Sequence, residues 1–142
     1  MKILSTSGLL LCTVLLLSCG QEFQPVEFGK DGCAHCRMTI MDKRFASEIV
    51  TAKGRAFKFD DIDCMIRYIK EMSLKEDELK LFVADYLQGE PAFIDAKEAV
   101  WLHSETFSSP MNGNYAAFAT RAAAEDVQRQ SGADFLMWDD LK

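Results

Sequence analysis

The chain opens on an apolar run. Residues 9–17 are Leu, Cys, Thr and Val almost without interruption, preceded by one charge, Lys2, and followed by Ser18-Cys19-Gly20. A membrane-spanning helix needs about 20 apolar residues. This run is too short to span and reads as an export signal over residues 1–18. Residues 21–30 carry no sustained period and contain Pro25 and Gly29, which predicts a tether over 19–31.

Alternation begins further on. Residues 45–52 are rich in β-formers, Lys53-Gly54 is a turn signal, and residues 55–59 alternate with period two, so a hairpin is expected. Asp60 or Asp61 can cap a helix over about 62–72. In it Ile62, Met65, Ile66 and Ile69 recur at helical spacing as one buried stripe. Ser73 and Glu76 match a capping box for a short turn, and residues 79–86 read as a strand. The order is ββαβ.

The remaining chain repeats that order. Residues 93–95 and 99–102 are strand-like, 111–114 form a turn and 115–119 a strand. Thr120 caps a helix over 121–130, Gly132 ends it, and residues 135–138 close the set. Gly54, Phe59 and Asp61 precede Gly113, Phe118 and Thr120 by a constant offset, which aligns turn, strand end and cap. The expected fold class is α+β, with two related ββαβ units over 32–90 and 91–142, packed edge to edge or exchanging strands.

Charge and cysteine count narrow the function. Loss of residues 1–18 removes one positive charge, so the net charge moves from −6 to −7. The scattered Lys and Arg residues give no basic footprint for nucleic acid. Leu16-Leu17-Ser18-Cys19 resembles the bacterial lipobox, in which the cysteine is acylated and becomes the N-terminus; the plain alternative is a secretory signal with an incidental cysteine. Of five cysteines, Cys12 leaves with the signal and Cys19 is taken by lipid. Cys33, Cys36 and Cys64 remain, an odd number that fits a reactive or metal-binding thiol better than a closed disulfide framework.

The segment Cys33-Ala34-His35-Cys36-Arg37-Met38-Thr39-Ile40-Met41 concentrates the chemistry. A two-residue spacer lets two sulfurs of a turn reach one ion or each other. If the chain extends after Cys36, alternation puts Met38 on the side of that thiol. Soft sulfur donors select Cu(I), whereas structural zinc wants four ligands, and no second CxxC or HxxxH completes that set. Cys64, His35 and Met41 are reserve ligands. The bland readings are a small core residue for Cys64, an outward-facing His35, a solvent-facing His103, and packing for Met41, Met72 and Met137. A Cys33–Cys36 disulfide and a thiol oxidoreductase stay open, although no helical stripe follows Cys36 to lower a thiol pKa.

The CxxCxMxI segment, Phe59-Asp60-Asp61-Ile62-Asp63-Cys64-Met65, Phe93-Ile94-Asp95-Ala96 and Ser109-Pro110-Met111, in that order over about residues 32–141, resemble the NosL family of copper-binding lipoproteins. The resemblance implies two ββαβ units akin to the organomercurial lyases, and a Cu(I) chaperone rather than an enzyme. It adds Met111 to the ligand set Cys33, Cys36 and Met38, although Asn112 intervenes before Gly113 where the family has its glycine directly. The implied partners are ABC-type copper-delivery machinery, an apo copper enzyme such as nitrous oxide reductase, and a membrane holding Cys19 and facing the periplasm, expected to be the outer membrane. The rivals are a thiol–disulfide or organomercurial lyase-like enzyme using Cys33, Cys36 and Cys64, and a structural lipoprotein with a disulfide.

Overall fold

The computed structural model describes residues 20–87 and 92–142. The export signal and Cys19 lie outside the described residues. Among those described, β1 (Ser47–Thr51), β2 (Ala56–Phe59), α1 (Ile62–Glu71), β3 (Leu79–Ala84), β4 (Phe93–Asp95), β5 (Val100–His103), β6 (Tyr115–Phe118), α2 (Arg121–Ser131) and β7 (Asp134–Leu136) follow in order. The fold is α+β, with two antiparallel sheets and two helices. One sheet has the order β2-β1-β3-β4 and the other β6-β5-β7.

Local chemistry accounts for the boundaries. Gly54 turns the β1–β2 hairpin at φ +75°, a left-handed conformation open to glycine. Asp61 caps α1 by accepting the Asp63 N–H at 2.9 Å, and Thr120 caps α2 by accepting the Ala123 N–H at 3.2 Å. Gly132 ends α2 at φ +67°. Ser73 is not a cap: it sits at φ +50° just past α1, and the 3₁₀ turn Glu76–Glu78 starts from Lys75 without a side-chain cap.

β1 is one of the two inner strands of the first sheet and is buried on both faces. On one side Phe57 and Phe59 of β2 pack on Tyr68 of α1 at 5.2 and 5.3 Å. On the other lies the segment expected to be a free tether. Phe23 stacks on Phe93 at 4.3 Å and meets Phe82 edge-on at 5.6 Å, Val26 is buried, and the Lys58 ammonium donates to Pro25 O and Asp31, both at 2.7 Å. This strap belongs to the body.

β4 also departs from expectation. The sequence places it at the start of the second unit, but it pairs with β3 through Phe82↔Asp95, Val83↔Ile94 and Ala84↔Phe93 and completes the first sheet. The two sheets join where the Tyr86 N–H donates to Ala117 O at 2.9 Å. Trp101 of β5 belongs to the same apolar cluster as Ile49, Phe59 and Met65, so the core runs from one sheet to the other. Met41, Met72 and Met137, expected to pack, are exposed by 67%, 56% and 73%. None lies on a helix or strand face: Met72 is the C-cap of α1 and Met137 follows β7.

Candidate metal centre

Two pieces of local structure build the centre, and the first is a closed thiol turn. Gly32 bridges Thr39 in antiparallel fashion, the Cys33 N–H donates to Met38 O at 2.8 Å, and the Arg37 N–H donates to Cys33 O at 3.1 Å. The Ala34 N–H donates to Lys58 O at 2.8 Å and holds the turn to the edge of β2. Arg37 adopts φ +70°, so the chain doubles back after Cys36 instead of extending. The alternation that placed Met38 on the thiol side does not apply through this residue.

The second piece is the junction of β2 with α1. Asp60 follows the last residue of β2, Asp61 caps the helix, and Cys64 stands in its first turn. Sγ of Cys33, Cys36 and Cys64 and a carboxylate oxygen of Asp60 all lie within 4.8 Å of one another. The Cys36 thiol donates to Asp60 Oδ1 at 3.2 Å, and the Cys36 N–H donates to Cys33 Sγ at 3.5 Å. Cys33, Asp60 and Cys64 are buried while Cys36 is half-buried, so the cluster opens to solvent on the Cys36 side. All three thiols are free.

Crowded thiols do not ionise alike. The hydrogen bond from Cys64 is the main cause that brings the Cys33 thiol down to about 6, against the opposing effect of burial. Burial pushes Cys36 up to about 11. Cys64 is raised, first by its hydrogen bond to Cys33 and then by burial. The arrangement favours the thiolate on Cys33, with Cys64 as its hydrogen-bond donor, and an anionic sulfur there suits a cation.

The loop before β6 docks on the same helix end. The buried Asp61 carboxylate accepts the Ser109 hydroxyl at 2.6 Å and the Met111 N–H at 2.7 Å. Ser109 and Asn114 brace the loop: the Ser109 N–H donates to Asn114 Oδ1 at 3.0 Å and the Asn114 N–H to Ser109 Oγ at 2.8 Å. A Cβ on Gly113 would stand 2.4 Å from Asp63 Cβ, so the close approach requires glycine. The additional Asn112 is taken up at φ +59°.

The structure therefore gathers Cys33, Cys36 and Cys64 and anchors the backbone of Met111 at the N-terminus of the same helix. Met38 and Met41 are exposed beside the thiol turn, and Met111 is 37% exposed. His35 is half-buried rather than outward-facing. Its Nε2 meets Glu71 Oε1 at 3.2 Å, while Nδ1 is buried with no partner among the described residues. His103 stacks on Tyr115 at 5.2 Å. Asp60 is the donor that sequence reasoning missed. Its signal was the doubled Asp60-Asp61, where one residue suffices for a cap.

Three thiols with one carboxylate form a compact, mostly soft donor set suited to a thiophilic cation. No second group of three or more His, Cys, Asp or Glu donors converges in this way among the described residues.

The sequence model of the NosL family matches residues 25–142. The fold is similar to the crystal structure of the copper chaperone NosL from Shewanella denitrificans, with a TM-score of 0.70 and 18% sequence identity, covering 84% of this chain and 95% of that one. No curated protein matches.

Proposed function

The chain belongs to the NosL family, and from that premise we propose that it is an extracytoplasmic Cu(I) carrier that passes copper to an apo-enzyme and catalyses no reaction itself. The observation that carries this reading is the convergence of Cys33, Cys36 and Cys64 within 4.8 Å, in a member of a family with a solved copper chaperone of the same fold.

The carrier reading accounts for the openness of the site. Cu(I) is cargo and must leave as readily as it arrives. In this reading buried Cys33 and Cys64 hold it from below, half-buried Cys36 offers sulfur at the rim, and the exposed thioethers of Met38, Met41 and Met111 are recruited to that rim as the metal binds. An incoming thiolate or imidazole displaces the rim donors first, so copper is handed over without becoming free. Cys19 is the lipidation site, which holds the carrier to a periplasm-facing bacterial membrane, the outer one in a Gram-negative cell. ABC-type copper-delivery machinery supplies the metal, and nitrous oxide reductase is the recipient.

A competition titration of the reduced protein against a Cu(I) chelator, followed by transfer to apo nitrous oxide reductase, tests the role. One Cu(I) per chain and transfer faster than chelator-buffered copper are expected. Failure to bind after full reduction refutes the carrier role. A second reading has one observation in its favour: Asp60 completes four donors, the number that tetrahedral zinc requires. Zinc that displaces Cu(I) at equal concentration would make this a zinc site.

A further inference from the structure

The described chain begins at one particular end of the body. The Gly20 carbonyl oxygen lies 3.8 Å from where a Cβ on Gly54 would stand, in the β1–β2 turn. The Gln21 side-chain amide donates to Val50 O at 3.1 Å and Glu78 O at 2.9 Å, and that of Gln24 donates to Gly54 O at 3.0 Å. Cys19 directly precedes Gly20 in the sequence. An acyl group on Cys19 is therefore joined to the chain next to the residue that meets this turn.

The sulfur cluster is at the opposite end of the same elements. Asp60 lies five residues beyond Arg55 along β2, about 16 Å at roughly 3.3 Å per residue. α1 carries Cys64 in its first turn and is capped by Met72, and its ten residues extend about 15 Å.

The end that receives the chain has its own chemistry. A shallow groove of about 430 Å³ there is lined by Lys53, Arg55 and Lys75 together with Phe57, Tyr68 and Met72. The three cations are exposed, and so is Met72, by 56%. Arg55 lays its guanidinium over the Phe57 ring at 4.6 Å. Glu78 is the acidic residue of the lining and pairs with Lys75 at 3.5 Å. An acidic chain is repelled by an anionic bilayer over most of its surface, whereas this groove combines excess positive charge with apolar area.

We infer that the anionic bilayer holding the Cys19 acyl chains is also the docking partner of this groove. Lys53, Arg55 and Lys75 meet phospholipid headgroups, Met72 enters the interface, and the Cys33–Cys36–Cys64 cluster faces away from the membrane toward soluble partners. The inference rests on lipidation at Cys19.

Lysine footprinting of the mature protein, purified from cells expressing the full chain, tests it. Mass spectrometry first reads the state of residue 19. The protein is then reconstituted in vesicles of phosphatidylcholine, with or without phosphatidylglycerol, and labelled with an amine reagent. With phosphatidylglycerol, labelling of Lys53 and Lys75 should slow about fivefold, since a basic residue near an anionic surface gains roughly 1 kcal/mol. Lys30 and Lys43, which flank the thiol turn, should label equally in both vesicles, and Arg55→Glu should reduce the protection of Lys75. An unmodified Cys19 on a soluble chain overturns the anchor and this inference together. A lipidated chain that protects Lys30 and Lys43 instead, or shows no difference between vesicles, overturns the inference alone.

Discussion

The Met111 N–H donates to the Asp61 carboxylate at 2.7 Å, although the two residues are 50 positions apart. Asp61 also accepts the Ser109 hydroxyl and, as N-cap, the Asp63 N–H. One buried carboxylate thus joins the start of α1, which carries Cys64, to the loop that carries Met111.

Asp61→Asn should separate these parts. An amide presents one accepting atom, so the cap can survive while the Ser109 and Met111 donors lose their acceptor. Leaving buried donors unmet costs about 1–3 kcal/mol, and a lower melting temperature is expected with a weaker sulfur shell around Cu(I) in X-ray absorption. Wild-type stability and an unchanged absorption spectrum would show that Asp61 does not hold the methionine loop.

Much of the site was legible in sequence because it lies at element ends with strong local signals. Asp61 and Thr120 sit where capping chemistry expects them, and Gly54 and Gly132 supply the turns. What stayed hidden depends on tertiary choice. β4 is three residues long and could join either sheet, and pairing with β3 decided the matter. The strap carries its apolar contacts at Phe23 and Val26, too few positions in a short segment for a period to show. Cys64 read as a plausible core residue because burial and proximity to thiols look alike in one dimension: it is buried, and it is buried against Cys33 and Cys36.

That placement sets the expected ranking of ligand variants. Loss of an outer-shell partner weakens metal binding about 10–100-fold, and loss of a thiolate should exceed that. Cys33→Ser, Cys36→Ser and Cys64→Ser should therefore cost most in a Cu(I) competition titration. Asp60→Asn should cost less than loss of a thiol, because its carboxylate is the one hard donor of the four, and Met38→Leu and Met111→Leu should cost least, as neutral thioethers replaced at similar volume. A Cys64→Ser variant that keeps wild-type affinity would return Cys64 to a purely structural role.

Glu48 on β1 bears on stability instead. It is fully buried; Oε1 accepts the Gln24 N–H at 2.8 Å and Oε2 has no partner among the described residues. Burial raises its pKa. A carboxyl whose folded pKa is raised contributes stability at low pH and loses it as pH climbs through the folded value. Glu48→Gln keeps an acceptor for Gln24 without the charge, so it should stabilise the protein at neutral pH by about 1–3 kcal/mol, a gain that shrinks on acidification. Denaturant melts at acidic and neutral pH measure this, and a loss of stability at neutral pH would mean that the charge is matched in solution.

Copper uptake should be coupled to protons in a way the three thiols dictate. Cys33 titrates at about 6, whereas Cys36, at about 11, and the raised Cys64 keep their protons at neutral pH. Metal binds the thiolate forms, so a three-thiolate site displaces two protons per Cu(I) above pH 6 and three below it. Affinity should then rise about 100-fold per pH unit near neutrality, with a steeper slope on the acid side. In the apo-protein the sign for Cys33 is that of a depressed pKa: its stabilising contribution is complete above the ordinary thiol value and is lost as pH falls through about 6. Thiolate absorbance in the ultraviolet follows the first ionisation directly. Cys64→Ala, which removes the hydrogen bond that holds the Cys33 thiolate, should move that ionisation up toward the ordinary cysteine range. Proton release measured alongside Cu(I) titration decides the stoichiometry, and a value near zero would exclude protonated thiols from the site that receives the metal.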